Sequence, residues 1–104
     1  MRPSNIELRF HDEMLETFRR AKAECHYNAT RFLQMVSECG GLTTARSLLA
    51  ARGLSDGFTA LWQYGRLDLT VEAVVLKPQW SDLFTDAELA IARKRLDDMR
   101  YVPQ

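Results

Sequence analysis

The stretch LDLTVEAVVL, Leu67 to Leu76, decides the fold. Leu67-Asp68-Leu69 alternates apolar and polar residues, and Val71, Val74 and Val75 are β-branched, which suits a pleated surface. A strand here would make the chain mixed. Strict alternation fails at Glu72-Ala73, however, and the alternating part is too short to make a sheet alone. We therefore expect a helix over about 70–76, capped by Asp68 or Thr70 and ended by Pro78.

Outward from this stretch the period is helical. Phe10, Met14, Phe18, Ala21 and Cys25 fall on one face of a first helix over about 8–25. His26-Tyr27 breaks it. Asn28 is the expected cap of a second helix over about 29–39, which buries Ala29, Phe32, Leu33 and Val36. Gly40 stops that helix, and Gly41 adds freedom for a sharp reversal. A third helix over about 43–51 turns Leu42, Ala45, Leu48 and Leu49 inward. Ser55 or Asp56 caps a two-turn helix over 58–64, with Phe58, Leu61 and Trp62 inward and Gly65 as its stop. Trp80 to Phe84 makes a turn or a single helical turn. Thr85 and Glu88 form a capping box for a last helix over about 86–99, with Leu89, Ala92, Leu96 and Met99 on one stripe. Arg93, Lys94 and Arg95 are expected outward, and residues 101–104 read as a frayed tail. The sum is an all-α fold: a compact orthogonal bundle of about six short helices in one helical domain over 1–104.

The totals narrow the function classes. The chain has 104 residues with 46% hydrophobic and 27% charged residues, which is globular composition for one domain. No apolar run is long enough to span a bilayer, and the first ten residues hold no signal-peptide pattern. Cys25 and Cys39 are then expected as reduced thiols in the cytoplasm. Fourteen basic residues balance fourteen acidic ones, which argues against broad attraction to nucleic acid or anionic lipid. The distribution is uneven. Residues 40–67 hold Arg46, Arg52 and Arg66 against Asp56, whereas 68–88 hold Asp68, Glu72, Asp82, Asp86 and Glu88 against Lys77.

Chemistry-bearing patterns are few. His11, Cys25, His26 and Cys39 are zinc-type residues, but no CxxC or HxxxH spacing joins them, so no metal or other cofactor is expected. There is no GxSxG, P-loop or GxGxxG, and the carboxylate pairs Asp12-Glu13 and Asp97-Asp98 fall on solvated helix faces. The expectation is a protein that is not an enzyme. Tyr64 and Arg66 leave the fourth helix where packing requires neither, and with Trp80 they suggest an aromatic–arginine cluster of the kind that dominates binding sites. The expected partner-binding set is Tyr64, Arg66, Asp68 and Trp80, with Arg46 and Arg52 at its rim. A protein partner is the leading expectation. The alternative is DNA or RNA, read by a helix-turn-helix-like unit around residues 43–64 through Thr43, Thr44, Arg46, Ser47, Arg52 and Arg66. A homodimer through Leu8 and Leu15 of the first helix is a further expectation.

The segments ATRFLQMVSECGGLTTARSLLA (29–50), DGFTALWQYGRLDLTVEAVVL (56–76) and LFTDAELAIARKRL (83–96), with Trp80, together resemble a family of short, poorly characterised bacterial all-α domains. The resemblance covers about 27–96. It implies a helical module in a bacterial cytosol, standing alone or attached to a larger protein. It implies no activity and no catalytic residue.

Overall fold

One threonine settles the stretch over 67–76. The Thr70 hydroxyl donates to the Leu67 carbonyl at 2.6 Å, closing a 3-10 turn over Leu67–Leu69. The same oxygen accepts from Ala73 N–H at 3.2 Å, capping helix α5, Val71–Val75. Every residue of α5 is buried, so its valines serve a helix that is covered on all sides rather than a strand. The computed structural model describes residues 5–101, and among these there is no strand.

The other helices are α1 (Asn5–Cys25), α2 (Thr30–Cys39), α3 (Gly41–Ala50), α4 (Asp56–Gln63) and α6 (Asp86–Asp98), with a second 3-10 segment over Pro78–Leu83. The fold is an all-α bundle of short helices. None of the helices is long and apolar enough to cross a membrane among the described residues. Helix α6 starts as its sequence dictates. Thr85 Oγ1 accepts from Glu88 N–H at 3.1 Å, and Glu88 Oε1 accepts from Thr85 N–H at 2.8 Å. Ser55 Oγ caps α4 by accepting from Phe58 N–H at 3.0 Å.

The interior divides into three clusters. The largest joins Phe10 and Met14 of α1 to Val36, Ala45, Leu49, Val74, Val75, Trp80, Phe84 and Ala92. Phe10 sits between two aromatics, with ring centroids 5.5 Å from Trp80 and 5.4 Å from Phe84, both edge-on. A second cluster holds Ala21, Cys25, Leu61 and Leu69. A third holds Phe58, Leu67, Ala73 and Leu96.

Helix α1 crosses α3 at the Gly40-Gly41 corner. Gly40 makes the reversal alone, with a φ of 89° that only glycine adopts at no cost. Gly41 is needed for a different reason than conformational freedom. A side chain there would start 2.7 Å from the His11 Cα, so α3 touches the α1 backbone directly. The His11 ring completes the contact, its Nδ1 accepting the Gly41 N–H at 3.0 Å and occupying one of the unpaired donors of the α3 N-terminus.

Several sequence expectations are corrected. Helix α1 begins at Asn5, and its buried stripe runs through Thr17 while Phe18 is half-buried. Asn28 does not cap α2: the N-cap is Ala29, with no side-chain bond. Helix α3 begins at Gly41, two residues early, because Gly40 suffices for the turn. Pro78 opens a 3-10 segment, where its missing N–H costs nothing. Trp62 is 48% exposed, because Phe58 and Leu61 already fill the inward face of a two-turn helix. Arg95 points inward, whereas Lys94 stays exposed and pairs with Asp98 at 3.2 Å. The expected tail lies outside the described residues beyond Tyr101, which is itself half-buried against the third cluster.

Thr44 is fully buried and its hydroxyl has no hydrogen-bond partner among the described residues. Thr44→Val keeps the branch and removes a desolvated polar atom. We expect it to stabilise the protein by about 1 kcal/mol in denaturant unfolding. A loss of stability would show that the hydroxyl is in fact satisfied.

Candidate functional site

The helices leave a large gap. Helix α2 packs chiefly on α1 and α3, whereas α4 packs on the 3-10 turn over Leu67–Leu69. Between α2 and α4 lies a cleft of about 610 Å³. Leu69 to Glu72 contribute its floor, and Thr17 and Phe18 of α1 contribute one end. Phe32 and Met35 line it from α2, Ser47 and Leu48 from α3, and Phe58 and Leu61 from α4. Phe18, Phe32, Met35 and Leu48 are each only half-buried. This volume falls in the range of about 300–1,000 Å³ in which preformed binding pockets are found. Leu54, itself exposed, lines both this cleft and a shallower groove of about 330 Å³ beside Ile91 and Met99.

The polar residues of the cleft are arranged at its edges and floor. Tyr27 reaches across toward α4: a side chain on Gly57 would start 3.7 Å from its hydroxyl. Burial holds the Tyr27 phenol above its ordinary value of 10.0, and the Asp56 carboxylate adds to the effect. Asp56 on α4 and Arg31 on α2 are exposed and have no ion-pair or hydrogen-bond partner among the described residues. Glu72, at the floor, is 2% exposed. Its Oε2 accepts from Arg95 Nη1 at 2.8 Å. Arg95 also donates to three carbonyls at the end of α3: Leu48 at 3.0 Å, Leu49 at 3.2 Å and Ala51 at 2.8 Å. One guanidinium thus neutralises the buried carboxylate and closes the α3 C-terminus.

The residues expected to bind a partner are dispersed. Trp80 is 5% exposed and belongs to the main core, edge-on to Phe10, so it offers no surface. Tyr64 is 56% exposed at the end of α4. Arg66 and Asp68 form a bidentate pair, with Nε–Oδ1 at 3.0 Å and Nη2–Oδ2 at 3.1 Å. Arg66 Nη1 donates to Glu24 Oε1 at 2.8 Å, Arg20 Nε donates to Glu24 Oε2 at 2.9 Å, and Arg20 Nη2 lies 3.9 Å from Asp68 Oδ2. Two arginines and two acids therefore alternate in a closed ring that ties the end of α1 to the turn after α4. Hydrogen bonding from Arg66 holds Asp68 below its ordinary value, and Arg20 and then Arg66 do the same for Glu24.

Of the residues expected to read nucleic acid, Thr44 is buried, which removes it from any groove contact. Arg46 donates to the Leu83 carbonyl at 2.9 Å and lies 3.6 Å from Glu88, and Arg66 belongs to the ring. Thr43, Ser47 and Arg52 remain exposed. The connection between α3 and α4 spans residues 51–55, longer than the usual helix-turn-helix turn. Leu8 is exposed, and Leu15 packs on the main core. His11 accepts from Gly41, Cys25 is buried in the second cluster, and Cys39 is exposed. Among the described residues no three His, Cys, Asp or Glu side chains converge.

The ring sets a pH prediction. Carboxylates held below their ordinary values stabilise the fold fully above those values, 4.5 for Glu24 and 3.8 for Asp68, and lose that contribution progressively as the pH falls from them through the lower values of the folded state. Arg66→Ala should therefore lower the melting temperature by a few degrees at pH 7, with the difference from the parent protein closing below pH 3.8. An equal difference at pH 7 and pH 3 would give Arg66 a packing role instead.

Sequence reasoning missed the cleft and the Glu72–Arg95 pair. The signal for the pair was present: a lone acid inside a short, otherwise apolar helix must be buried with a partner. No family model, curated protein or solved structure matches the chain.

Proposed function

We propose that this chain is a non-enzymatic helical module that binds a protein partner, and that the cleft between α2 and α4 receives it. The observation that carries the reading is the set of half-buried Phe18, Phe32, Met35 and Leu48 around one 610 Å³ opening. A monomer of this size gains by burying such side chains, and a partner supplies the missing cover. Trp62 on α4 and Tyr64 just past its end, both exposed, would extend the contact surface, and exposed aromatics carry much of the energy of protein interfaces. The proposal places the module in a bacterial cytosol. The resemblance to short bacterial domains supports the first term, and the two unpaired thiols, Cys25 and Cys39, suit a reducing compartment.

Selection from a displayed library of peptides tests the reading. Binders should enrich against the full chain, lose binding with Met35→Glu in the cleft, and keep it with Leu8→Glu, which is exposed on α1. A library that yields no binder, or binders indifferent to Met35→Glu, would overturn it.

A further inference from the structure

We infer that the occupant of the cleft is an amphipathic helix with a basic residue on one edge of its apolar stripe and an acidic residue on the other. The inference rests on the reading of this chain as a protein-binding module.

The backbone limits how a partner segment can bind. Adding a strand requires a sheet edge, and the described residues contain no strand. The cleft is instead an apolar trough with helices along its sides, which is the setting for helix-in-groove recognition. Apolar anchors at i, i+3 or i+4 and i+7 would reach Phe18, Phe32, Met35 and Leu48.

Charge then orients the edges. Arg31, Asp56 and Glu72 are the charged residues that line the cleft. Glu72 is already neutralised by Arg95. Arg31 comes from α2 and Asp56 from α4, and they do not pair with each other or with another described residue. Each therefore presents an unmatched charge at the rim, of opposite sign. A helix matched to both carries a carboxylate for the Arg31 fork and a cation for Asp56. A helix with two basic or two acidic edges meets one like charge.

Three synthetic helical peptides with the same leucine stripe test this. Their edges carry lysine and glutamate, lysine on both sides, or glutamate on both sides. Each is titrated into the isotope-labelled full chain at low salt. We expect the mixed-edge peptide to bind about fivefold tighter than either uniform one, with shifts at the amides of Phe32 and Met35. Arg31→Glu should move the preference to the all-lysine peptide, and Asp56→Lys to the all-glutamate peptide. Circular dichroism confirms that both variants fold. Equal binding of the three peptides that is still lost with Met35→Glu would overturn the edge assignment and leave the protein-binding reading standing. Binding by none of them, or a concentration-dependent dimer that Met35→Glu dissociates, would also overturn it. The reading itself falls only if the library selection fails as well.

Discussion

Arg95→Met is expected to destabilise the protein by about 3–5 kcal/mol, the usual cost of leaving one member of a buried ion pair behind. Glu72 is almost fully enclosed, and Arg95 is its only ion-pair partner among the described residues. A domain of this size has roughly 5–15 kcal/mol in total, so the variant stands near the edge of folding. Three further variants keep the test decisive. Glu72→Gln removes the carboxylate but keeps an acceptor, and should cost less. The double change Glu72→Leu, Arg95→Met removes both charges and should regain part of the loss, because apolar replacements of buried pairs are often neutral. The recovery should be incomplete, since Arg95 also donates to the Leu48, Leu49 and Ala51 carbonyls. Arg95→Lys should fall between, because one ammonium cannot serve four acceptors set for a planar fork. Denaturant midpoints measure all four. A double variant as stable as the parent would show that the α3 carbonyls do not depend on Arg95.

Gly41→Ala is expected to cost about 1–3 kcal/mol, and Gly41→Val more. Two effects oppose each other. Alanine is favoured over glycine within a helix by up to about 1 kcal/mol. Against that, the new Cβ would stand 2.7 Å from the His11 Cα and 3.3 Å from the Met14 Cγ. The methionine can move; the α1 backbone cannot without separating from α3. Separation would also break the bond from Gly41 N–H to His11 Nδ1. The obstacle is a main-chain atom, so no substitution at His11 should rescue the variant. Thermal unfolding of Gly41→Ala with and without His11→Ala checks this. A stabilised Gly41→Ala would mean that the helices have room to part.

Local chemistry was legible, and tertiary chemistry was not. The Thr85–Glu88 box and the Thr70 and Ser55 caps depend on residues three positions apart, so the sequence carries them in full. Trp62 and Trp80 were harder. Periodicity placed Trp62 inward as the i+4 neighbour of Phe58, but a two-turn helix has little inward face. Trp80 lies in a 3-10 segment with a different period, and its burial depends on Phe10, seventy residues away in the chain. Arg95 sits beside the stripe of Ala92, Leu96 and Met99, yet its partners lie on α3 and α5. Arg66 was legible as an arginine that packing did not require; its ring partner Glu24 was hidden on α1. The cleft is the extreme case, because it records where helices fail to meet.

The division of the apolar interior has a kinetic consequence. Helix α4 contributes Leu61 to the second cluster and Phe58 to the third, and no residue to the largest one. Its amide hydrogen bonds therefore rest on the two smaller cores. Such a segment is expected to open at lower free energy than α3 and the first half of α1, which are rooted in the main cluster. In deuterated solvent the α4 amides exchange first. On the proposed reading, a guest in the cleft would bridge α4 to α2 and slow that exchange, so one helix would time both the breathing of the fold and the residence of a partner.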